Sequence, residues 1–130
     1  MPGDQEHWLA KAQECLASAE ADFAAGRHNS VANRAYYAGF HAAIAALIEA
    51  DIRPQGKAWE HRFVFSEFSG KLVTRRKVFS ARFTRSLQRL YESRIVGDYR
   101  TENVPVRISQ AMLIEASTLV QAVQEWQKRS

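Results

Sequence analysis

A single cysteine, Cys15, in 130 residues rules out an internal disulfide and agrees with a reducing compartment. Long apolar runs are missing as well. The longest, Ala42 to Ile48, falls far short of the roughly 20 residues that a membrane helix needs, so no membrane partner is expected. The first six residues carry Asp4 and Glu6 where a secretory signal needs a basic segment followed by an apolar one, and the expected location is the cytoplasm. No glycine-rich phosphate loop is present. His7, Cys15, His28, His41 and His61 show no metal-ligand spacing, so neither a metal nor a cofactor is expected. Proline occurs three times and glycine six, mostly between segments of helical periodicity, which predicts an all-α fold.

What is present fits one ordinary domain spanning 1–130. With 46% apolar and 25% charged residues the composition suggests neither disorder nor a membrane protein. A first helix is expected from Asp4, as N-cap, to about Ala25, with Gly26 as its stop and an apolar stripe of Trp8, Leu9, Ala12, Leu16, Ala19 and Phe23. Asn29 or Ser30 should cap a second helix reaching Ala50. That helix is apolar nearly all round, so it should be central, with a small side at Ala35, Ala38, Gly39, Ala42 and Ala46. A short third helix over Trp59–Phe68 and a basic connection from Ser69 to Lys77 should follow. A fourth helix is expected from about Val78 to Val96 or Tyr99. The last, capped by Asn103 or Thr101 with Pro105 in its first turn, should run to about Gln127. Together these predict an up-and-down four-helix bundle with an additional short helix.

Charge is unevenly spread. Arg53 to Arg107 holds thirteen Lys and Arg against five Asp and Glu, leaving five against nine elsewhere. Lys71, Arg75, Arg76, Lys77, Arg82, Arg85, Arg89 and Arg94 stand within one short stretch with Glu92 as its only acid. Such a stretch attracts phosphates, and arginine favours bidentate contacts and stacking on bases. Equally, it could be a solvated face that keeps the protein soluble. Phe83, Leu87 and Leu90 step by four and three, and the same stripe continues to Arg94 and Asp98, so Arg94 belongs to the core-facing side. Arg82, Arg85 and Arg89 form a neighbouring stripe towards solvent.

A second group of polar residues sits in apolar surroundings. Asn33, Arg34 and His41 interrupt the second helix, and a buried cation needs an anion. Arg34 or Arg94 can pair with Asp98. Such a pair could serve only to fix the register of two helices, or the group could line a cleft for a phosphate or nucleotide.

Asn33-Arg34-Ala35-Tyr36-Tyr37-Ala38 with Phe40-His41-Ala42-Ala43, His61 with its following phenylalanines, and Arg94 followed by Gly97-Asp98-Tyr99 resemble the HEPN family. Its members are small helical domains, many of which bind nucleotides or cut RNA. The likeness covers most of the chain and is to the branch often encoded beside a minimal nucleotidyltransferase. It implies a homodimer, a nucleotidyltransferase partner in a toxin–antitoxin type of system, and RNA or a nucleotide as ligand. Arg34, His41, Arg94, Asp98 and Tyr99 would then form the binding site, with Arg75, Arg76, Lys77, Arg82, Arg85 and Arg89 steering polyanions.

Ribonuclease members carry Arg, four to six arbitrary residues, then His. Arg94 matches the arginine, but Tyr99 stands where the shortest spacing places the histidine, and Arg100 and Thr101 follow. A 2′-hydroxyl attack needs a proton acceptor, a task for which His is suited near neutral pH and Tyr, with a pKa of about 10, is not. Arg34 and His41 fit the spacing formally, but on the wrong helix. An endoribonuclease using Arg94 and Tyr99, with His41 or His61 as base, is therefore the alternative to a binding module, and a structural dimerisation module is a third.

Overall fold

The computed structural model describes residues 3–130; Met1 and Pro2, the start of the acidic amino terminus, lie outside them. The elements are α1 (Asp4–Ala24), α2 (His28–Glu49), α3 (His61–Glu67), a π-helical segment continuing it (Phe68–Arg75), α4 (Arg82–Tyr99) and α5 (Val106–Arg129). All regular structure among the described residues is helical. No helix among them is long and apolar enough to cross a membrane.

The sequence placed α2 at the centre, and it is there. Every residue from Ala42 to Ile48 is buried, and α2 packs against α1, α4 and α5. Its small side lets neighbours approach closely: a Cβ on Gly39 would sit 2.8 Å from Leu90 Cδ1 of α4. A second close approach occurs two turns further on, near the end of α4. There a Cβ on Gly97 would lie 3.0 Å from the Asn29 carbonyl oxygen in the first turn of α2. These two glycines bring α4 against α2 along the length that carries the polar residues.

Helix boundaries differ from expectation where side chains find other work. Gly3, with φ of 91°, takes the N-cap position of α1, and Asp4 opens the helix, where its charge suits the dipole. Gly26, at φ of 77°, ends the turn after α1 as expected. Neither Asn29 nor Ser30 caps α2. The helix begins at His28 behind Arg27, and Asn29 is occupied across the structure: its Oδ1 accepts from the Val104 N–H at 2.9 Å and its Nδ2 donates to Asn103 Oδ1 at 3.0 Å. Asn103 is thereby withdrawn from capping α5, whose N-cap position is filled by Pro105.

The expected basic connection from Ser69 to Lys77 is mostly helical. Phe68 and Leu72 are fully buried and hold the segment against the core, while Arg76 N–H reaches back five residues to the Lys71 carbonyl at 2.9 Å. Val78 and Phe79 both donate to the Leu72 carbonyl, which turns the chain, so α4 begins at Arg82 rather than Val78. Phe79 fills the core beside Phe68 and Trp126.

Candidate functional site

Where the first turns of α2 meet the last turns of α4, four polar side chains form one connected chain. Arg34 donates to Asn33 Oδ1 from Nε at 2.8 Å and from a terminal nitrogen at 2.6 Å. The other end of that amide, Asn33 Nδ2, donates to Asp98 Oδ2 at 2.9 Å. Asp98 also lies 3.3 Å from Arg94 Nε, one helical turn before it. Only one orientation of the Asn33 amide satisfies a cation on one side and a carboxylate on the other, so these neighbours fix it. The open question of which arginine pairs with Asp98 is answered: Arg94 does so directly, and Arg34 through Asn33.

The Arg94–Asp98 pair is close but misaligned. Arg94 Nε is buried and makes no hydrogen bond, because its N–H does not point along the 3.3 Å line to the carboxylate. The guanidinium is held instead by rings, its carbon lying 5.1 Å from the Tyr36 ring centre, 5.3 Å from Tyr37 and 5.6 Å from Tyr99. Its terminal nitrogen donates to the Tyr99 hydroxyl at 3.3 Å. Arg34 lies 5.4 Å from the same Tyr37 ring, so one tyrosine serves two cations. Burial and the aromatic neighbours raise the Tyr36 hydroxyl to about 12, keeping it neutral beside Arg94. Tyr99 is 67% exposed and presents its ring to solvent. Beside these residues opens a cleft of about 300 Å3 lined by Asp22, Asn29, Ser30, Asn33, Arg34 and Asp98.

His41 stands two turns along α2 from Arg34, towards α1. Its Nδ1 lies 3.9 Å from the Cys15 sulfur, and its ring meets Trp8 edge-on. Burial, with Lys11 and Arg34 adding to it, lowers its pKa to about 4, so the ring is neutral at physiological pH. Burial likewise raises the Cys15 thiol. Arg34 also approaches the Cys15 sulfur at 3.8 Å. His61 stacks on Tyr91 at 4.6 Å, and the Tyr91 ring lies 6.0 Å from that of Tyr36, so His61 borders the aromatic cluster behind Arg94.

The other basic residues lie apart from this group. Arg85 and Arg94 are nine residues apart, about two and a half helical turns, which puts them on opposite faces of α4. On the Arg85 face, Arg82 and Arg89 both reach Glu115 of α5, at 3.8 Å and 3.2 Å. Arg76 donates to the Ala50 carbonyl at the end of α2, at 3.4 Å. Ala50 and Arg34 are sixteen residues apart on that axis, roughly 24 Å, so Arg75, Arg76 and Lys77 mark the opposite end of the molecule. Lys71 pairs with Glu67 at 2.7 Å.

Sequence reasoning missed two partners. Asn33 stood out as a polar residue in an apolar helix, but nothing in its spacing told of a bridge between Arg34 and Asp98. Glu115 lies twenty-six residues beyond Arg89 and no local pattern marks it. Among the described residues, no group of three or more His, Cys, Asp or Glu could hold a metal ion. Chemically, the α2–α4 junction offers two fixed guanidinium groups, an exposed aromatic ring and a shallow polar cleft, a combination suited to a phosphate with an attached base. A family model described as HEPN domain matches residues 5–130. A search of curated proteins found no match to the chain.

Proposed function

The chain belongs to the HEPN domain family, and from that premise we propose that it binds RNA or a nucleotide at the α2–α4 junction. The observation that carries this reading is the pair of arginines tied into one network, with Arg94 held among three tyrosine rings and Tyr99 exposed beside it. Arg94 and Arg34 contact phosphate, Tyr99 offers a stacking surface, Asp98 and Asn33 set the two arginines, and His41 reaches Arg34 through the Cys15 sulfur on the side of α1. Arg75, Arg76, Lys77, Arg82, Arg85 and Arg89 add to the long-range field.

The same reading takes the packing of α2 against α1, α4 and α5 as an up-and-down four-helix bundle, with α3 as the short extra helix. It includes a homodimer and a nucleotidyltransferase partner in a toxin–antitoxin type of system, acting in the cytoplasm. What supports the partner is the resemblance of the Asn33–Ala43 and Arg94–Tyr99 segments to that branch; what supports the compartment is the single cysteine.

Binding is favoured over cleavage by the surroundings of the candidate bases. His41 is neutral at physiological pH but packed against Trp8 and Cys15, and His61 is stacked on Tyr91. The test is a labelled mixed-sequence RNA incubated in chelator with wild type and with Arg94→Ala, at low and high salt. The expected result is intact RNA bound at low salt and released at high salt, with affinity reduced about tenfold or more in the folded variant. Salt-insensitive binding, or none at low salt, would overturn the reading. Cleavage by wild type and not by the variant would instead make the protein a ribonuclease.

A further inference from the structure

The face of α4 turned away from the Arg94 network borders α5 along a groove crossed at one end by the ion pairs of Arg82 and Arg89 with Glu115. Two adjoining cavities, of about 320 Å3 and about 370 Å3, share Ile108 as a common wall. Val96 and Pro105 line one side of Ile108, and Ala111, Met112 and Ile114 the other. Ile114 is 57% exposed at its edge, and with Val106 it is one of two large aliphatic side chains that α5 turns to solvent.

Charge along the groove is ordered. At the end nearer the start of α4 stand Arg82, Arg85 and Arg89, with Glu115 as their one counter-charge. Glu115 is only 13% exposed and lies beneath Arg82 and Arg89, which remain more than half exposed above it. Arg85, on the same stripe, makes no ion pair among the described residues. At the other end the sign reverses, with Glu92 and Glu102 on the wall. On α4 the cavities are lined from Arg89 to Val96, and with Arg82, which reaches Glu115 at their end, the α4 face beside them spans roughly 21 Å, about four turns.

We propose that this groove docks an amphipathic helix of a partner protein, about four turns long, with its apolar face on Ile108 and Ile114 and acidic residues against Arg82, Arg85 and Arg89. An apolar channel between two parallel ridges accepts a helix through residues at three- and four-residue steps. The excess of cations at one end selects carboxylates there, and Glu92 with Glu102 rejects them at the other, so the charges set the direction in which the helix lies. Extended nucleic acid would leave the aliphatic floor uncovered and would meet the two acids. The site is separate from the α2–α4 junction and does not depend on what binds there.

The test uses a labelled synthetic helix of about four turns, with leucines at three- and four-residue steps and glutamates in the half meant for Arg85, and a twin in which lysines replace the glutamates. Fluorescence polarisation against the full chain should show micromolar binding of the glutamate peptide and about tenfold weaker binding of its twin. Arg85→Glu should reverse that preference. Ile114→Lys should abolish binding while the melting temperature stays near that of wild type. Arg94→Ala should bind the peptide as wild type does, which separates this site from RNA binding. No binding, equal binding of both peptides, or indifference to Arg85→Glu would overturn the proposal. So would displacement of the peptide by mixed-sequence RNA, which would make the stripe a nucleic-acid face. A wild-type dimer that Ile114→Lys converts to monomer in sedimentation would also overturn it, since the occupant would then be a second copy of this chain.

Discussion

At the scale of single residues, the site depends on one uncharged amide. Asn33 accepts twice from Arg34 and donates once to Asp98, all at hydrogen-bond distance and all with a charged partner. Asn33→Ala is expected to cost about 1–2 kcal/mol in urea unfolding, because water replaces only part of those charge-assisted bonds. His41 gives a prediction of a different kind. Its folded pKa of about 4 lies below the ordinary 6.5, so the unfolded chain binds a proton that the native one refuses between those values. Stability therefore falls as pH drops from about 6.5 to about 4, and this component disappears below that range. A His41→Gln variant should lack it, so its melting temperature should fall less than that of wild type between about pH 6.5 and about pH 4. Much of this was legible beforehand: Arg94 and Asp98 share a helical stripe by spacing alone. Which arginine Asp98 would engage was not, since that depends on the register of α2 against α4. The role of Glu115 was hidden for the same reason.

At the scale of elements, periodicity found the five α-helices but not the π-helical segment. A search for apolar residues at three- and four-residue steps assumes bonds four residues back, whereas Arg76 reaches back five. Phe68 and Leu72 looked like the end of a helix and the start of a connection because the polar residues between them, Ser69, Gly70 and Lys71, interrupt the pattern. Caps were misread where polar side chains were drawn into contacts between elements, as with Asn29 and Asn103. The close approach of α4 to α2 was foreshadowed for Gly39, which lies on a small stripe, but not for Gly97, which follows Ile95 and Val96 and belongs to no such stripe. Gly97→Val is expected to destabilise by about 1–3 kcal/mol, because its methyls would push on the backbone of Asn29 rather than on a yielding side chain. It should also weaken RNA binding, since it separates the helix ends that carry Asn33 and Asp98.

At the scale of the whole molecule, a basic sequence has become a divided surface. Counted along the chain, eight cations in a row promised a broad polyanion track. In three dimensions they fall into an Arg94 region, a stripe facing α5 and a tip near Ala50; Lys71, Arg82 and Arg89 are paired with Glu67 or Glu115, and Arg76 is hydrogen-bonded to a helix carbonyl. That division yields a number. Binding of single-stranded RNA through Arg34 and Arg94 alone should lose affinity with a slope of about −1.4 in log K against log salt; engagement of all eight would give about −6. A titration across a few salt concentrations distinguishes the two, and Arg75→Glu should leave the shallow slope unchanged.

Asp98 has a further significance in that setting. On the proposed reading its carboxylate would compete with a phosphate for Arg94, beside which it lies at 3.3 Å without an aligned hydrogen bond. A phosphate bound in the proposed way would displace one anion to install another, so its affinity would be set by a difference and not by the full attraction of two arginines. Replacing Asp98 with asparagine should therefore tighten phosphate binding while loosening the helices by up to about 1 kcal/mol. In that proposal the carboxylate that steadies the cations of the empty site also weakens the grip of the filled one.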